Sequence, residues 1–252
     1  MGKGRNAGIF CLITGIVLCI MAVCQYSPYY ENKKEILRLQ NYVQKDIEDQ
    51  GLSVDVSTPE NAGEDQEDWG ENLPMLDFDR LNQVNEDICG WIYVPGTVVN
   101  YPVLYGDEYL SKDYQGQYSP LGAIFTCNET DFDDQWHVLL YGHRTFDGQM
   151  FGILNSFDAL DFAKDHSVYF YTAEGDIYEF IPAASYLCSP SGSSFEDVTE
   201  IGEYVQIIKN EADDHGWADM QMLETGEKIL TLVTCPPKNS DSLRRIVQCV
   251  GK

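Results

Sequence analysis

The feature that most constrains the fold is a succession of short, strand-like runs in the last two-thirds of the chain. After a short helical stretch at 78–85, two β-rich runs in "GWIYVPGTVVNYPVL" (90–104) are separated by a Pro-Gly turn. Further strand candidates lie at 123–127, 136–142, 167–173, 176–188, 228–235 and 244–250. Because few helices separate these runs, they predict a mainly β fold, either a barrel or a sandwich.

One longer helix is predicted to interrupt the strands. The stretch 194–216 brings Val198, Ile201, Val205 and Ile208 to one side of a helix, and its first serine is a candidate cap. A second helix is predicted upstream over 27–51, where apolar residues recur at helical spacing and a glycine follows.

An acidic stretch follows the upstream helix. From Asp46 to Asp79 there are 12 acidic residues, and no Lys or Arg falls between Lys45 and Arg80. Its low apolar content indicates a solvated linker. A docking strip for a basic partner, such as a cationic wall peptide, is the alternative interpretation.

The N-terminus indicates the compartment. Residues 8–24, "GIFCLITGIVLCIMAVC", carry no charge and follow Lys3 and Arg5. Seventeen residues are at the short end for a membrane helix, and positive charge before the segment favours a cytoplasmic N-terminus. We therefore expect residues 1–7 to be cytoplasmic, 8–24 to be a transmembrane signal anchor, and the rest of the chain to be extracellular. A cleaved signal peptide and a lipoprotein anchored through Cys24 remain alternatives.

Charge and cysteine content narrow the function further. The formal net charge is −25, and such an acidic surface repels phosphates, which argues against nucleic-acid binding. Three of the eight cysteines fall in the apolar N-terminal segment, so the five outside it cannot all pair within one chain. No CxxC or His/Cys cluster is present, and no metal or organic cofactor is implied.

Cys235 is the candidate nucleophile. It ends the apolar run "KILTLVTC", and two prolines follow that cannot continue the hydrogen bonding of a strand. A free thiol is only about 3% thiolate at neutral pH, so nucleophilic use requires a neighbouring base or cation. His143 is the candidate base, because it follows Gly142 at the exit of another apolar strand.

An arginine could complete such a site. If "SLRRIVQCV" is a strand, Arg245 shares one face with Val247 and Cys249, while Arg244 lies on the other face. Only one of the two arginines can therefore lie on the face of Cys235. A guanidinium can bind a carbonyl or an oxyanion and favours a nearby thiolate.

With these residues in place, the chain resembles the sortases, and class B in particular. The motif "TLVTC" (231–235) is similar to the family's strand ending in Thr-Leu-x-Thr-Cys, and "YGH" (141–143) is similar to its histidine motif. "RRIV", "DGQMFGIL" and the stretches 90–104 and 109–125 also resemble the family in the expected order. The resemblance covers about residues 75–252. Val233, where a serine is common, and the two prolines after Cys235 depart from the family pattern.

The resemblance implies a fold and a set of site residues. The fold would be a closed barrel of about eight strands in a catalytic domain at 76–252, preceded by an extracellular helix and acidic linker at 25–75. The helix near 194–215 would be the class B insertion. The site assignments implied are Cys235 as nucleophile, His143 as general acid/base, Arg245 as oxyanion-stabilising residue, and Tyr141, Val233 and Thr234 as substrate-binding residues.

The reaction implied by the resemblance is transpeptidation. The enzyme would cleave secreted surface proteins after the threonine of a C-terminal sorting motif like Asn-Pro-x-Thr-Asn/Gly. A peptidoglycan amine would then take the acyl group from Cys235. A thiol hydrolase of the same fold and a non-enzymatic anchored adhesin are the alternatives. Cys249 is interpreted as a buried free thiol, with a disulfide to Cys235 as the other possibility.

Overall fold

The fold was examined in a computed structural model of the chain. It describes residues 14, 16, 21, 27, 30, 31, 33–41, 73–128, 130–132, 135–145, 147–195, 198–235 (Cys235 by its backbone alone) and 243–251. Within these residues, no helix has the length and apolar character needed to cross a bilayer. The predicted anchor at 8–24, apart from residues 14, 16 and 21, lies outside the described residues, as do residues 46–72 of the acidic stretch.

Nine strands of the described residues form one sheet. They are β1 (Ile88–Tyr93), β2 (Asn100–Tyr105), β3 (Ile124–Thr126), β4 (His137–His143), β5 (Val168–Thr172), β6 (Ile177–Cys188), β7 (Gly216–Ala218), β8 (Lys228–Cys235) and β9 (Arg244–Gly251). Their order is β5-β1-β2-β3-β4-β8-β9-β6-β7, and the pairing of β5 with β6 closes the sheet. The result is a closed barrel of eight strands with β7 added beside β6, which confirms the predicted barrel.

The helices precede the sheet or lie between its strands. The α-helices with assigned bounds are α1 (Phe78–Val84), α2 (Leu160–Lys164), α3 (Ile201–His215) and α4 (Met220–Thr225). Three 3-10 helices span Asp107–Leu110, Gly152–Asp158 and Ser193–Phe195. Residues 33–41 are also helical, and there Leu39 is buried against the outer face of the barrel.

The barrel interior is filled by the alternate residues of the strands. Val138 and Leu140 of β4, Leu230 and Leu232 of β8, and Val247 of β9 are all fully buried in one cluster. Side chains alternate between the faces of a strand, so the residues between them lie on the outer face. The 3-10 helix Gly152–Asp158 contributes two further residues to the interior cluster and lies across one end of the barrel.

The inserted helix α3 lies on the outer face of β6. Its buried Tyr204 reaches a chain of polar side chains in which Thr231 donates to Gln248 at 2.6 Å and Gln248 donates to Tyr186 at 2.9 Å. The predicted cap was wrong, because the helix begins at Ile201 and not near Ser194. The hydroxyl of Ser194 instead bonds Tyr186, 2.8 Å away.

Candidate active site

The ends of two neighbouring parallel strands bring His143 and Cys235 together. β4 and β8 pair in parallel from His137 opposite Ile229 to His143 opposite Cys235. Neighbouring strands lie about 4.8 Å apart, and residues in register lie on the same face of a sheet. The backbones of His143 and Cys235 therefore meet at one rim of the barrel.

The backbone before and after His143 is tightly fixed. Gly142 faces the barrel interior, where a Cβ would lie 2.5 Å from Ile124 and 2.7 Å from the ring of Phe151. The amide of Phe151 donates to the carbonyl of His143 at 3.0 Å. The glycine that marked this histidine in the sequence is thus required by close packing, since no larger residue fits at this point of β4.

The His143 side chain is half-buried and has a defined partner. Its Nε2 lies 2.7 Å from the backbone carbonyl oxygen of Leu110, the last residue of the 3-10 helix Asp107–Leu110. A carbonyl oxygen only accepts, so Nε2 carries the proton in this hydrogen bond. The neutral ring is therefore the Nε2–H tautomer, which leaves the lone pair on Nδ1.

The two arginines at the start of β9 lie on opposite faces. Antiparallel pairing sets Leu232 opposite Val247 in the interior and Val233 opposite Ile246 outside. Continuing this register by two residues places Arg244 opposite Cys235 on the outer face. Arg245 falls on the interior face, and its amide donates to the hydroxyl of Thr234 at 2.8 Å.

The side chain of Arg245 has two partners through Nη1, while its Nε is buried without a hydrogen-bond partner among the described residues. Its guanidinium lies 2.8 Å from the Asp158 carboxylate and 3.4 Å from the Ser185 hydroxyl, and only 8% of the side chain is exposed. The resemblance to the family implied that Arg245 accompanies Cys235, whereas its guanidinium lies on the interior face beside Asp158.

Arg244 lies on the outer face at the start of β9. It is half-buried, and its Nη1 is buried without a hydrogen-bond partner among the described residues. A buried guanidinium N–H without an acceptor is costly, so an incoming carbonyl or oxyanion would be bound favourably there. On its other side Arg244 pairs with Cys188 of β6.

The three predicted substrate-binding residues differ in accessibility. Tyr141 is half-buried and stacks on Phe125, with ring centroids 5.4 Å apart. Val233 is fully buried, and Thr234 is 3% exposed with its hydroxyl bonded to the backbone of Arg245. Val233 and Thr234 thus act in the packing of β8, and only Tyr141 offers surface to a ligand.

The described cysteines Cys89, Cys127, Cys188 and Cys249 are free thiols. Cys249 is fully buried in the barrel interior, and burial raises the pKa of its thiol. It lies opposite Leu230, five residues along β8 from Cys235, which is roughly 16 Å of strand. A disulfide requires Cα atoms within about 7 Å, so Cys249 is the buried free thiol that was predicted and cannot bridge to Cys235.

The other histidines have structural surroundings. His137 is packed against Tyr204 and bonds Thr231 at 2.8 Å, and burial lowers its pKa to about 3. His166 stacks on Phe162, whose carbonyl it bonds at 2.7 Å, and His215 ends α3. Within the described part of the chain, no group of three acidic, His or Cys side chains could hold a metal ion.

Comparison with known proteins identifies the family. The model of the sortase domain matches residues 92–251. The chain belongs to the sortase family. Sortase B of Staphylococcus aureus is 26% identical over 178 residues, which cover 68% of this chain and 72% of that protein. Sortase B of Listeria monocytogenes is 27% identical over the same length, which covers 67% and 71%.

Solved structures agree with the class. The S. aureus sortase B–substrate complex superposes with a TM-score of 0.56 at 26% identity, covering 69% of this chain and 83% of that one. The chain is thus a class B sortase, which confirms the resemblance read from its motifs, and as a sortase it is a transpeptidase.

Three contributors to the site were missing from the sequence-based prediction. The Leu110 carbonyl is a backbone group, which leaves no signal in side-chain identity. Gly122 adopts a positive φ of 58° and lies against Leu110 and His143, but "PLGAIF" indicates only a turn. Asp158 is one acidic residue among 41, and only the fold reveals its contact with Arg245.

Proposed function

We propose that this sortase cleaves a C-terminal sorting motif after its threonine and transfers the protein to a peptidoglycan amine. Cys235 is the nucleophile, His143 the general acid and base, and Arg244 the residue that binds the reacting carbonyl. The observation that carries the proposal is the register of β4 and β8, which sets His143 opposite Cys235 at one rim. Arg244 replaces Arg245 in this assignment because the register of β9 sets it on the outer face with Cys235, whereas Arg245 lies on the interior face and pairs with Asp158.

The first half-reaction forms a thioester. His143 takes the proton of the Cys235 thiol, and the sulfur attacks the threonine carbonyl carbon to give a tetrahedral oxyanion. The guanidinium of Arg244 stabilises that negative charge. When the oxyanion collapses, the C–N bond breaks and the protonated His143 delivers its proton to the leaving amine.

The second half-reaction transfers the acyl group. The acceptor amine attacks the thioester carbonyl and gives its surplus proton to His143. The C–S bond breaks, and Cys235 leaves as a thiolate that recovers the proton. A motif of the Asn-Pro-x-Thr-Asn/Gly type is proposed as substrate because the resemblance to class B implies it, and the S. aureus relative was solved in complex with a substrate.

The experiment uses the full-length chain and a peptide with such a motif, with and without an amine acceptor such as triglycine. A threonine–glycine adduct that forms only when the amine is present supports the transpeptidase. Cleavage at the same rate without the amine would instead indicate the thiol hydrolase. Loss of all turnover in Cys235→Ala is expected, whereas an adhesin would bind its partner equally well through that variant.

The two arginine assignments are separated by paired variants. Arg244→Ala should lower kcat/KM by about 10²–10³-fold, the usual effect of removing an oxyanion donor. Arg245→Ala should reduce the folded fraction, while the remaining folded enzyme keeps most of its kcat. The opposite pattern, with Arg244→Ala active and Arg245→Ala inactive but fully folded, would return the role to Arg245.

The location proposed for this enzyme is the cell membrane, with the catalytic domain extracellular. The support is the uncharged segment 8–24 and the lysine and arginine before it. Protease added to intact cells should digest the catalytic domain of the full-length chain. A domain that resists protease until the cells are lysed would contradict this orientation.

A further inference from the structure

The 3-10 helix Asp107–Leu110 ends directly over His143. Carbonyl groups in the last turn of a helix have no partner within the helix and must find donors elsewhere. The carbonyl of Tyr109 accepts from the amide of Ala123 at 2.9 Å, and that of Leu110 accepts from the Nε2 of His143 at 2.7 Å. The histidine ring is therefore held by a backbone group from a part of the chain remote from β4.

This backbone acceptor is itself rigidly placed. Tyr109 is 2% exposed, and its hydroxyl donates to Asp87 at 2.6 Å while accepting from Asn85 at 2.7 Å. These bonds join the 3-10 helix to the segment between α1 and β1. The position of the Leu110 carbonyl is thus fixed by a buried side chain one residue earlier, and does not depend on an exposed loop.

Gly122 provides the space for this contact. Its φ is +58°, and a Cβ built there would lie 2.7 Å from the Leu110 carbonyl oxygen and 3.0 Å from Cδ2 of His143. The same atom would also lie 2.6 Å from the carbonyl oxygen of Tyr109. Any side chain at position 122 would push the acceptor and the imidazole apart.

We infer that the Leu110 carbonyl, seated by Gly122, is a positioning group that sets the tautomer and orientation of His143 for acyl transfer. The inference rests on the proposed role of His143 as acid and base. A nucleophile–base pair needs a third group that orients the base, and a carbonyl can orient it without carrying charge. With Nε2–H bonded to Leu110, Nδ1 is the nitrogen that takes the proton from the thiol and returns it to the leaving amine.

The carbonyl acceptor suits both protonation states of the ring. In the neutral state it selects Nε2–H, and in the protonated state it still accepts the same hydrogen bond, now from a cation. The ring therefore does not have to rotate between taking and giving a proton. A side-chain acceptor that was also a donor, such as a hydroxyl, would allow both tautomers.

The first test is spectroscopic and measures the wild-type chain. The chain has four histidines, so selective ¹⁵N-histidine labelling of the full-length protein gives few signals, and His143→Gln identifies the one of interest. At a pH where the ring is neutral, correlation through two bonds distinguishes the tautomers. We expect Nε2–H for His143. A predominant Nδ1–H tautomer would overturn the inference, whatever the activity of the enzyme.

The second test compares Gly122→Ala with Gly116→Ala. Gly116 also has a positive φ, +78°, but a Cβ there meets nothing within 4 Å, so both variants carry backbone strain and only one displaces the Leu110 carbonyl. Gly122→Ala should lose the single tautomer and at least about tenfold in kcat, with little change in KM. Gly116→Ala should keep the single tautomer and the wild-type kcat.

The outcomes separate this inference from the proposed function. The positioning role is wrong if Gly122→Ala keeps the Nε2–H tautomer and full kcat. It is also wrong if Gly116→Ala loses as much of the tautomer or of kcat as Gly122→Ala does. If Gly122→Ala does not fold, the tautomer measured in the wild-type chain decides. If His143→Gln still transfers acyl groups, the proposed function of His143 fails, while the tautomer measurement stands by itself.

Discussion

Removing the Asp158 carboxylate should destabilise the folded protein, because it leaves a buried guanidinium with one weak neutral partner. The Arg245 side chain is 8% exposed and that of Asp158 is 56% exposed, with 2.8 Å between the paired atoms. Breaking a fully buried pair costs about 3–5 kcal/mol, and an exposed pair is worth about 0–1 kcal/mol. Since only one partner is buried, we expect Asp158→Ala to cost about 2 kcal/mol.

The assay is urea unfolding of the full-length chain followed by tryptophan fluorescence. The expected loss corresponds to roughly 6 °C in Tm for a domain of this size. Glu174→Ala is the matched control, because this exposed carboxylate has no ion pair among the described residues, and its removal should change stability by less than about 0.5 kcal/mol. The double variant Asp158→Ala/Arg245→Met should recover part of the loss, since it removes the uncompensated charge.

Two results would refute this reasoning. Asp158→Ala could be as stable as Glu174→Ala, which would mean that water solvates Arg245 in place of the carboxylate. Alternatively, the double variant could be less stable than Asp158→Ala alone. Arg245 would then contribute through packing of its methylene groups, and its charge would need no partner.

Three further predictions concern the core. Gly142→Ala should lower the free energy of unfolding, measured in urea, by about 1–3 kcal/mol, because its Cβ would overlap side chains 2.5–2.7 Å away. The control is Gly202→Ala on α3, where the Cβ meets nothing within 4 Å and should not lower the stability. The lowered pKa of His137, about 3, means that the unfolded state takes up a proton below about pH 6.5 while the folded state does not. Stability should therefore fall by about 2 kcal/mol between pH 6.5 and 5, and His137→Phe should abolish that part of the pH dependence. Iodoacetamide should leave Cys249 unmodified in the native chain and label it after unfolding, as peptide mapping would show; labelling in native conditions would contradict its burial.

The strands were predictable because their hydrophobic patterns are strong and local. The bounds of β8 (Lys228–Cys235) agree with the run read from the sequence, and those of β9 (Arg244–Gly251) differ by one residue. Short elements such as β7 and the 3-10 helices were missed, since three to seven residues carry no clear period. The order of the strands in the sheet could not be predicted from local patterns either, because it depends on contacts between distant parts of the chain.

The site was predictable to the extent that its residues lie on strands. His143 and Cys235 stand out in the sequence because each lies at the end of a strand. That they lie opposite each other could not be predicted, because it depends on β4 and β8 being neighbours in the sheet. For the two arginines, matching the sequence to a family motif does not show which face of β9 each side chain lies on. Alternation on β9 already divided them by face, but nothing in the sequence indicated that Asp158 holds Arg245 on the inner one.

Because β4 pairs with β8, the candidate site can form only after most of the chain has been translated. The strand that ends in His143 stays at an open sheet edge until β8, translated more than eighty residues later, inserts beside it. A nascent chain that has left the ribosome only as far as α3 therefore contains His143 but not Cys235. On the proposed mechanism, such a chain has no nucleophile and cannot form a thioester with other polypeptides.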